Sequence, residues 1–251
     1  MAATTSSNDR FNTDAATWDE NLTVQRATGL AHKAYLAHLE ADTDAAPLAT
    51  SDVLEIGCGT GLLSLALAPA VASLVAVDPA EGMIAALNAK LESQPSTTNV
   101  RTVCATLHDA DDPQLQAAVA AGTGVNNGGE KGKRRFDLVV SHLVLHHVPD
   151  LDELLAVMFA CLRPGGRVLL TDFEDFGPAA RSFHPEAKMD GVARHGLKRT
   201  DMAALLARVG FEDLRVETAF SVDKHVETQL GSGDVGPLVK FPFLLCSGRK
   251  P

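Results

Sequence analysis

Between Asp52 and Phe173, short apolar, β-branched runs alternate with stretches of helical spacing, and this constrains the fold more than any other feature. "DVLEI" (52–56) reads as a buried strand, "GLLSLALAPA" (61–70) as a helix and "LVAVD" (74–78) as a strand. "AEGMIAALNAKLES" (80–93) follows as a helix, "VRTVCA" (100–105) as a strand and "DPQLQAAVAA" (112–121) as a helix. "FDLVVS" (136–141), "LDELLAVMFACL" (151–162) and "GRVLLTDF" (166–173) continue the pattern as strand, helix and strand. Strands without polar alternation are buried on both faces. Helices between them supply the cover, so the expected fold is α/β with a doubly wound, mostly parallel sheet. Further on, "RTDMAALLARVG" (199–210) predicts a helix with Thr200 as N-cap and Gly210 as C-cap. "LRVETAF" (214–220) and "VKFPFLLCSGRK" (239–250) predict two closing strands joined as a hairpin, the last antiparallel.

The flanks are polar. Residues 1–12 are expected to form a disordered tail. Residues 13–46 are expected to form an N-terminal helical lid, with Gly29 a possible break between two helices. The domain proper runs from 47 to 251, with an irregular cap segment at 174–199. Residues 121–135, "AGTGVNNGGEKGKRR", have the Gly, Asn and charge content of a solvated loop.

Composition narrows the partners. The 251 residues carry 32 acidic against 22 basic side chains, a formal charge of -10. Such a field does not attract phosphate backbones, so nucleic acid is not an expected partner. Four cysteines (58, 104, 161, 246) form no C-x-x-C pair and read as free thiols in a reducing compartment. The first twenty residues contain no apolar signal core and the chain has no membrane-length apolar run. A cytoplasmic protein without a membrane partner is the expectation.

"VLEIGCGTG" (53–61) places glycines between a strand and a helix. That turn offers backbone N–H groups and a helix N-terminus to a ligand. Gly57, Gly59 and Gly61 give G-x-G-x-G, and Leu62 stands where the third glycine of a dinucleotide fingerprint belongs. The Gly-Lys-Ser/Thr ending of a P-loop is missing. Glu55 just before the glycines would repel a diphosphate but suits an ammonium group. Asp78 ends the next strand, where an acid can accept both ribose hydroxyls. A ligand with a ribose, an amino-acid end and no phosphate is S-adenosylmethionine.

With "VLEIGCGTG", "VAVDPAEGMI", "FDLVVSHLVLHHVPD" and "LRPGGRVLLTDF" in this order, the chain resembles the class I S-adenosylmethionine-dependent methyltransferases over about residues 50–175. "FNTDAATWDENL" (11–22) is similar to the opening of small-molecule members. The resemblance implies a Rossmann-like seven-stranded sheet and S-adenosylmethionine as cofactor, with S-adenosylhomocysteine as product. It sets Glu55, Gly57, Cys58, Gly59 and Gly61 against the methionine part, Asp78 on the ribose, and Pro79 and Met83 beside the adenine. "CATLHD" (104–109) lacks the acid that usually follows the third strand, which leaves Thr106 and Leu107 at the adenine edge. Ser141 and His142 follow the fourth strand and face the transferring methyl. Trp18 folds over the cofactor.

Methyl transfer needs a base only when the acceptor is protonated. His142 is the first candidate, and His184 and His195 in the cap segment are placed near the acceptor. His146 and His147 read as architectural. No metal is expected, because the His142–His146 pair spans a strand end and not a helix. Histidines near the methyl position, and no Asn-Pro-Pro-Tyr motif, favour a thiol or hydroxyl of a small molecule. A small-molecule N-methyltransferase remains open, as do an NAD-type oxidoreductase and a non-catalytic S-adenosylmethionine-binding module.

Overall fold

A computed structural model describes residues 7–121, 135–228 and 234–251 of the chain. Its seven strands are β1 (Asp52–Ile56), β2 (Ser73–Asp78), β3 (Val100–Cys104), β4 (Phe136–His142), β5 (Leu162–Phe173), β6 (Glu212–Glu227) and β7 (Val235–Arg249). They form one sheet in the order β3-β2-β1-β4-β5-β7-β6. β7 pairs antiparallel with both β5 and β6, and the pairings from β3 to β5 are parallel. The order reverses between β1 and β4. In open α/β sheets, ligands bind outside the strand ends at such a reversal.

The core is divided by the two-residue period of the strands. Leu54, Ile56, Val75, Val77, Val139, Val168 and Leu170 pack on one face. Their neighbours Val53, Leu74, Ala76, Leu138, Val140 and Leu169 pack on the other. Both faces are therefore apolar and both are covered. Glu55 falls on the second face, where it is only 2% exposed.

Among the described residues, seven α-helices connect and flank the strands: α1 (Ser7–Asp14), α2 (Leu22–Ala41), α3 (Leu62–Leu67), α4 (Glu81–Ser93), α5 (Pro113–Ala120), α6 (Leu151–Cys161) and α7 (Arg199–Val209). Several starts are set by side chains that accept the free N–H groups of the first turn. Asn21 does so for α2, Asp112 for α5 with Pro113 in the first turn, and Asp150 for α6. Gly210 ends α7 at φ 110°, in the left-handed region glycine tolerates best.

Four expectations are corrected. Residues 7–12 are not a disordered tail but most of α1, and residues 1–6 lie outside the described residues. α2 runs unbroken through Gly29, because Ala27, Ala31 and Tyr35 on its inner face are fully buried. That burial outweighs the roughly 1 kcal/mol cost of a helical glycine. The N-cap of α7 is Lys198, and the Thr200 hydroxyl turns to Asp201. The closing strands β6 and β7 are far longer than the apolar runs that announced them. Most of the glycine-rich segment 121–135 lies outside the described residues. Among the described residues no helix is long and apolar enough to cross a membrane.

The segment 174–199 is irregular, with short 3-10 turns at Pro178–Phe183 and Glu186–Lys188. It is stitched to the N-terminus. Arg10 donates to the carbonyls of Lys188 and Asp190, and Lys188 pairs with Asp14 at 2.8 Å.

Candidate active site

A cleft of about 330 Å³ opens at the carboxyl ends of β1, β2 and β4. Its floor is the turn from β1 into α3. Gly57 and Cys58 donate to the Val77 carbonyl, tying the turn to β2. The three glycines have different reasons to be there. A Cβ on Gly57 would lie 2.2 Å from Val144 Cγ2, and one on Gly61 2.2 Å from Leu87 Cδ1. A Cβ on Gly59 would meet nothing closer than Met83 Sδ at 3.9 Å and Trp18 Nε1 at 4.0 Å. Gly57 and Gly61 therefore permit packing, while Gly59 keeps the backbone open to the cleft.

Two carboxylates face this space. Asp78 accepts the Gly59 and Ala80 N–H groups, one on each oxygen, at 2.9 Å. Burial raises its pKa, while these two bonds act the other way. Glu55 accepts the Ser64 hydroxyl at 2.5 Å. Burial pushes its carboxyl up to about 8. Among the described residues, no lysine or arginine lines the cleft.

Of the residues the sequence proposed, Trp18, Glu55, Gly57, Cys58, Gly59, Asp78, Pro79, Met83, Thr106 and His142 line the cleft. Three expected residues do not reach it. Gly61 closes the turn from beneath. Leu107 is one step out of register with Thr106 and belongs to the core. Ser141 is fully buried, its hydroxyl donating to the Ile56 carbonyl at 2.7 Å. Ser141 and His142 do not follow β4 but are its last two residues.

His142 sits at the end of a proton chain that fixes its tautomer. The Tyr35 hydroxyl donates its hydrogen to the Ser141 carbonyl at 2.7 Å. The 2.9 Å contact between Tyr35 and Thr171 must then be donated by Thr171. The 2.8 Å contact between Thr171 and His142 Nδ1 must in turn be donated by the imidazole. Nε2 is left with its lone pair, buried and unpartnered. Burial holds the ring's pKa down at about 4, so it stays neutral. The next residue, Leu143, is held at φ 57°, a strained value for a side chain of its size.

The remaining histidines separate. His184 lines a second cavity of about 260 Å³ together with His146 and His147. Trp18, Val24, Leu143 and His147 line both cavities, so the two adjoin. His195 is not brought there. It accepts from Arg181 at 2.8 Å and lines a different depression beside α7. His146 is more than architectural filler, because it donates to the buried Asp172 carboxylate at 2.9 Å.

Tyr35, Thr171 and Leu143 were missed from the sequence. Thr171 had a signal, a hydroxyl inside the apolar run "RVLLTDF". Tyr35 had none, because helical spacing alone made it a core residue.

The sequence matches the Methyltransferase domain family over residues 30–216. The chain belongs to this methyltransferase-domain family. It is 31% identical over 147 residues to an uncharacterized methyltransferase of Schizosaccharomyces pombe, covering 57% of this chain and 47% of that protein. It is 31% identical over 170 residues to a ubiquinone biosynthesis O-methyltransferase of a Methylobacterium species, covering 62% of this chain and 58% of that protein. The chain thus spans about half the length of these curated relatives. Among solved structures it is similar to a DhpI–SAH complex, with a TM-score of 0.60 at 18% identity, covering 97% of this chain and 94% of that one. At that identity the likeness speaks for the methyltransferase fold alone.

Proposed function

We propose that this chain is an S-adenosylmethionine-dependent methyltransferase acting on a hydroxyl or thiol of a small molecule. The observation that carries this reading is the lining of the cleft: two acidic side chains, Glu55 and Asp78, and no lysine or arginine among its described lining residues. A dinucleotide needs a pyrophosphate cradle. This cleft instead suits a ligand with a sulfonium, an ammonium and a ribose. Leu62, at the place of the third fingerprint glycine, puts a side chain into the lining and counts against an NAD-type oxidoreductase.

When bound, S-adenosylmethionine supplies a methyl group already activated by its positive sulfur. The residues of this chain do the rest. Asp78 accepts the ribose hydroxyls, Gly59 lets the backbone approach, and Glu55 faces the ammonium end. Pro79, Met83 and Thr106 border the adenine. α1 and the turn carrying Trp18 close the cleft from outside as a lid, a shorter one than residues 13–46, since α2 is part of the core. The segment 174–199 caps the second cavity, which receives the acceptor.

His142 Nε2 takes the acceptor's proton. Its lone pair is available because Thr171 and Tyr35 hold the hydrogen on Nδ1. Positioning contributes the remainder of the rate. The name of the Methylobacterium relative supports an oxygen acceptor.

The test has two arms. Calorimetry with S-adenosylhomocysteine and with NAD separates the cofactors; binding of NAD alone would overturn the reading. Labelled cofactor offered with phenols, thiols and amines separates the acceptors. Transfer to amines only would overturn the acceptor assignment and leave the cofactor assignment standing.

A further inference from the structure

The second cavity contains an arrangement that base catalysis by His142 does not use. One ring nitrogen from each of His146, His147 and His184 lies within 4.8 Å of the others. These are the paired histidines of "LHHVPD" and the histidine of "SFHPE", from segments 37 residues or more apart. Their rings pack together, with centroids 3.9 Å apart for His146–His147 and 4.9 Å for His146–His184.

Two of the three tautomers are fixed. His146 Nδ1 lies 2.9 Å from the Asp172 carboxylate, which is itself fully buried and accepts two backbone N–H groups. His147 Nδ1 lies 2.8 Å from the Gly191 carbonyl, which can only accept. Both rings therefore carry hydrogen on Nδ1 and a lone pair on Nε2. His146 Nε2 and His184 Nδ1 are buried without a hydrogen-bond partner. Leaving such buried groups unpaired is unfavourable, so the cluster fits a partner that accepts electron pairs. Carboxylate and carbonyl groups behind the ring are also what orients metal-binding histidines.

We propose that His146, His147 and His184 bind one divalent transition-metal ion, with Zn²⁺ the best match to three neutral imidazoles. Nitrogens around one Zn²⁺ stand roughly 3.3 Å apart at Zn–N distances of about 2.0–2.1 Å. The rings close on the ion by side-chain rotation, for which the adjoining cavity leaves room. Three protein ligands would leave a fourth coordination position open, and the histidines line that cavity. Arg10, Lys188 and Lys224 line the same space. Their charges oppose a bare cation but favour an anionic fourth ligand. The class this selects is a thiolate or phenolate. That last step rests on the methyltransferase reading; the metal site itself does not.

The experiment is equilibrium dialysis of the chelator-treated full-length chain against Zn²⁺, read by elemental analysis, with Co²⁺ absorption as a second probe. One ion per chain and the intense visible bands of four-coordinate Co²⁺ are expected. His184→Gln should weaken binding at least about tenfold, and Asp78→Ala, in the first cleft, should leave it unchanged. His146 is fully enclosed and its variant risks misfolding, so the half-buried His184 carries the test, with circular dichroism as the folding check. Absence of bound Zn²⁺, or binding unchanged in His184→Gln, overturns the proposal. Neither result touches cofactor binding, which calorimetry reads separately.

Discussion

Thr171 Oγ1 lies 2.8 Å from His142 Nδ1, and this contact decides which imidazole nitrogen keeps its lone pair. The direction of the bond is dictated from outside, through Tyr35 and the Ser141 carbonyl. The proposed base is therefore held by α2, through Tyr35, and by β5, through Thr171. Thr171→Val removes the acceptor and frees the tautomer. Turnover should fall with cofactor affinity unchanged, and stability should drop by about 1–3 kcal/mol for the unpaired buried N–H. Because burial holds His142 at about 4, the wild-type kcat/KM should show no acid limb from this ring between pH 6 and 8. Steady-state kinetics across pH checks both. Equal loss of activity and of cofactor binding in Thr171→Val would refute the positioning role.

Asp78 is held by two backbone N–H groups and keeps further lone pairs free for a ligand. Asp78→Ala should weaken S-adenosylhomocysteine binding by about 1.5–3 kcal/mol, the loss typical of hydrogen bonds to a charged group. Unchanged affinity in calorimetry would remove Asp78 from the ribose.

Glu55 is protonated at neutral pH in the free protein, since burial pushes it up to about 8. A cation placed beside it favours the carboxylate. Cofactor binding at pH 7 should therefore release up to about one proton, read as a buffer-dependent binding enthalpy and lost in Glu55→Gln. The same shift sets a stability trend. A folded pKa above the unfolded value stabilises fully below the unfolded value and is lost as pH rises through about 8. Wild type should lose more Tm than Glu55→Gln between pH 6 and 9. A buffer-independent enthalpy would show that Glu55 keeps its proton when the site fills.

The glycines should separate by phenotype. Gly57 combines φ 77° with a Cβ position 2.2 Å from Val144 Cγ2. Gly57→Ala should cost about 1–2 kcal/mol from the left-handed backbone and a further 1–3 kcal/mol from overpacking. A Cβ on Gly59 would meet only Met83 Sδ at 3.9 Å and Trp18 Nε1 at 4.0 Å, but its φ is 53°, so Gly59→Ala should carry the left-handed backbone cost of about 1–2 kcal/mol without the overpacking, and lose cofactor affinity. Thermal melts and calorimetry on the pair test this; equal destabilisation would contradict it.

The alternation of apolar runs was enough to read β1 to β5 and the helices between them, because a parallel sheet leaves no polar face to blur the pattern. The glycine turn and Asp78 were legible for the same reason: their chemistry is local, read from strand ends. What lay hidden depends on distant contacts. Tyr35 and Thr171 are 136 positions apart, and nothing local marks their bond. Leu107 differed from Thr106 by one residue of register, which turns a side chain from cleft to core. His184 and His195 looked equivalent in sequence. The bond to Arg181 and the path of segment 174–199 set them in different cavities.

His142 is proposed as the base for methyl transfer from a cofactor held over Gly59 and Asp78. The most direct measurement is labelled methyl transfer to phenol and thiol acceptors by wild type and His142→Ala at saturating cofactor. Product is expected with the wild type and a loss of about 10²–10⁴-fold in the variant, the usual worth of a positioned base, with S-adenosylhomocysteine affinity unchanged. Equal turnover of wild type and variant would contradict it.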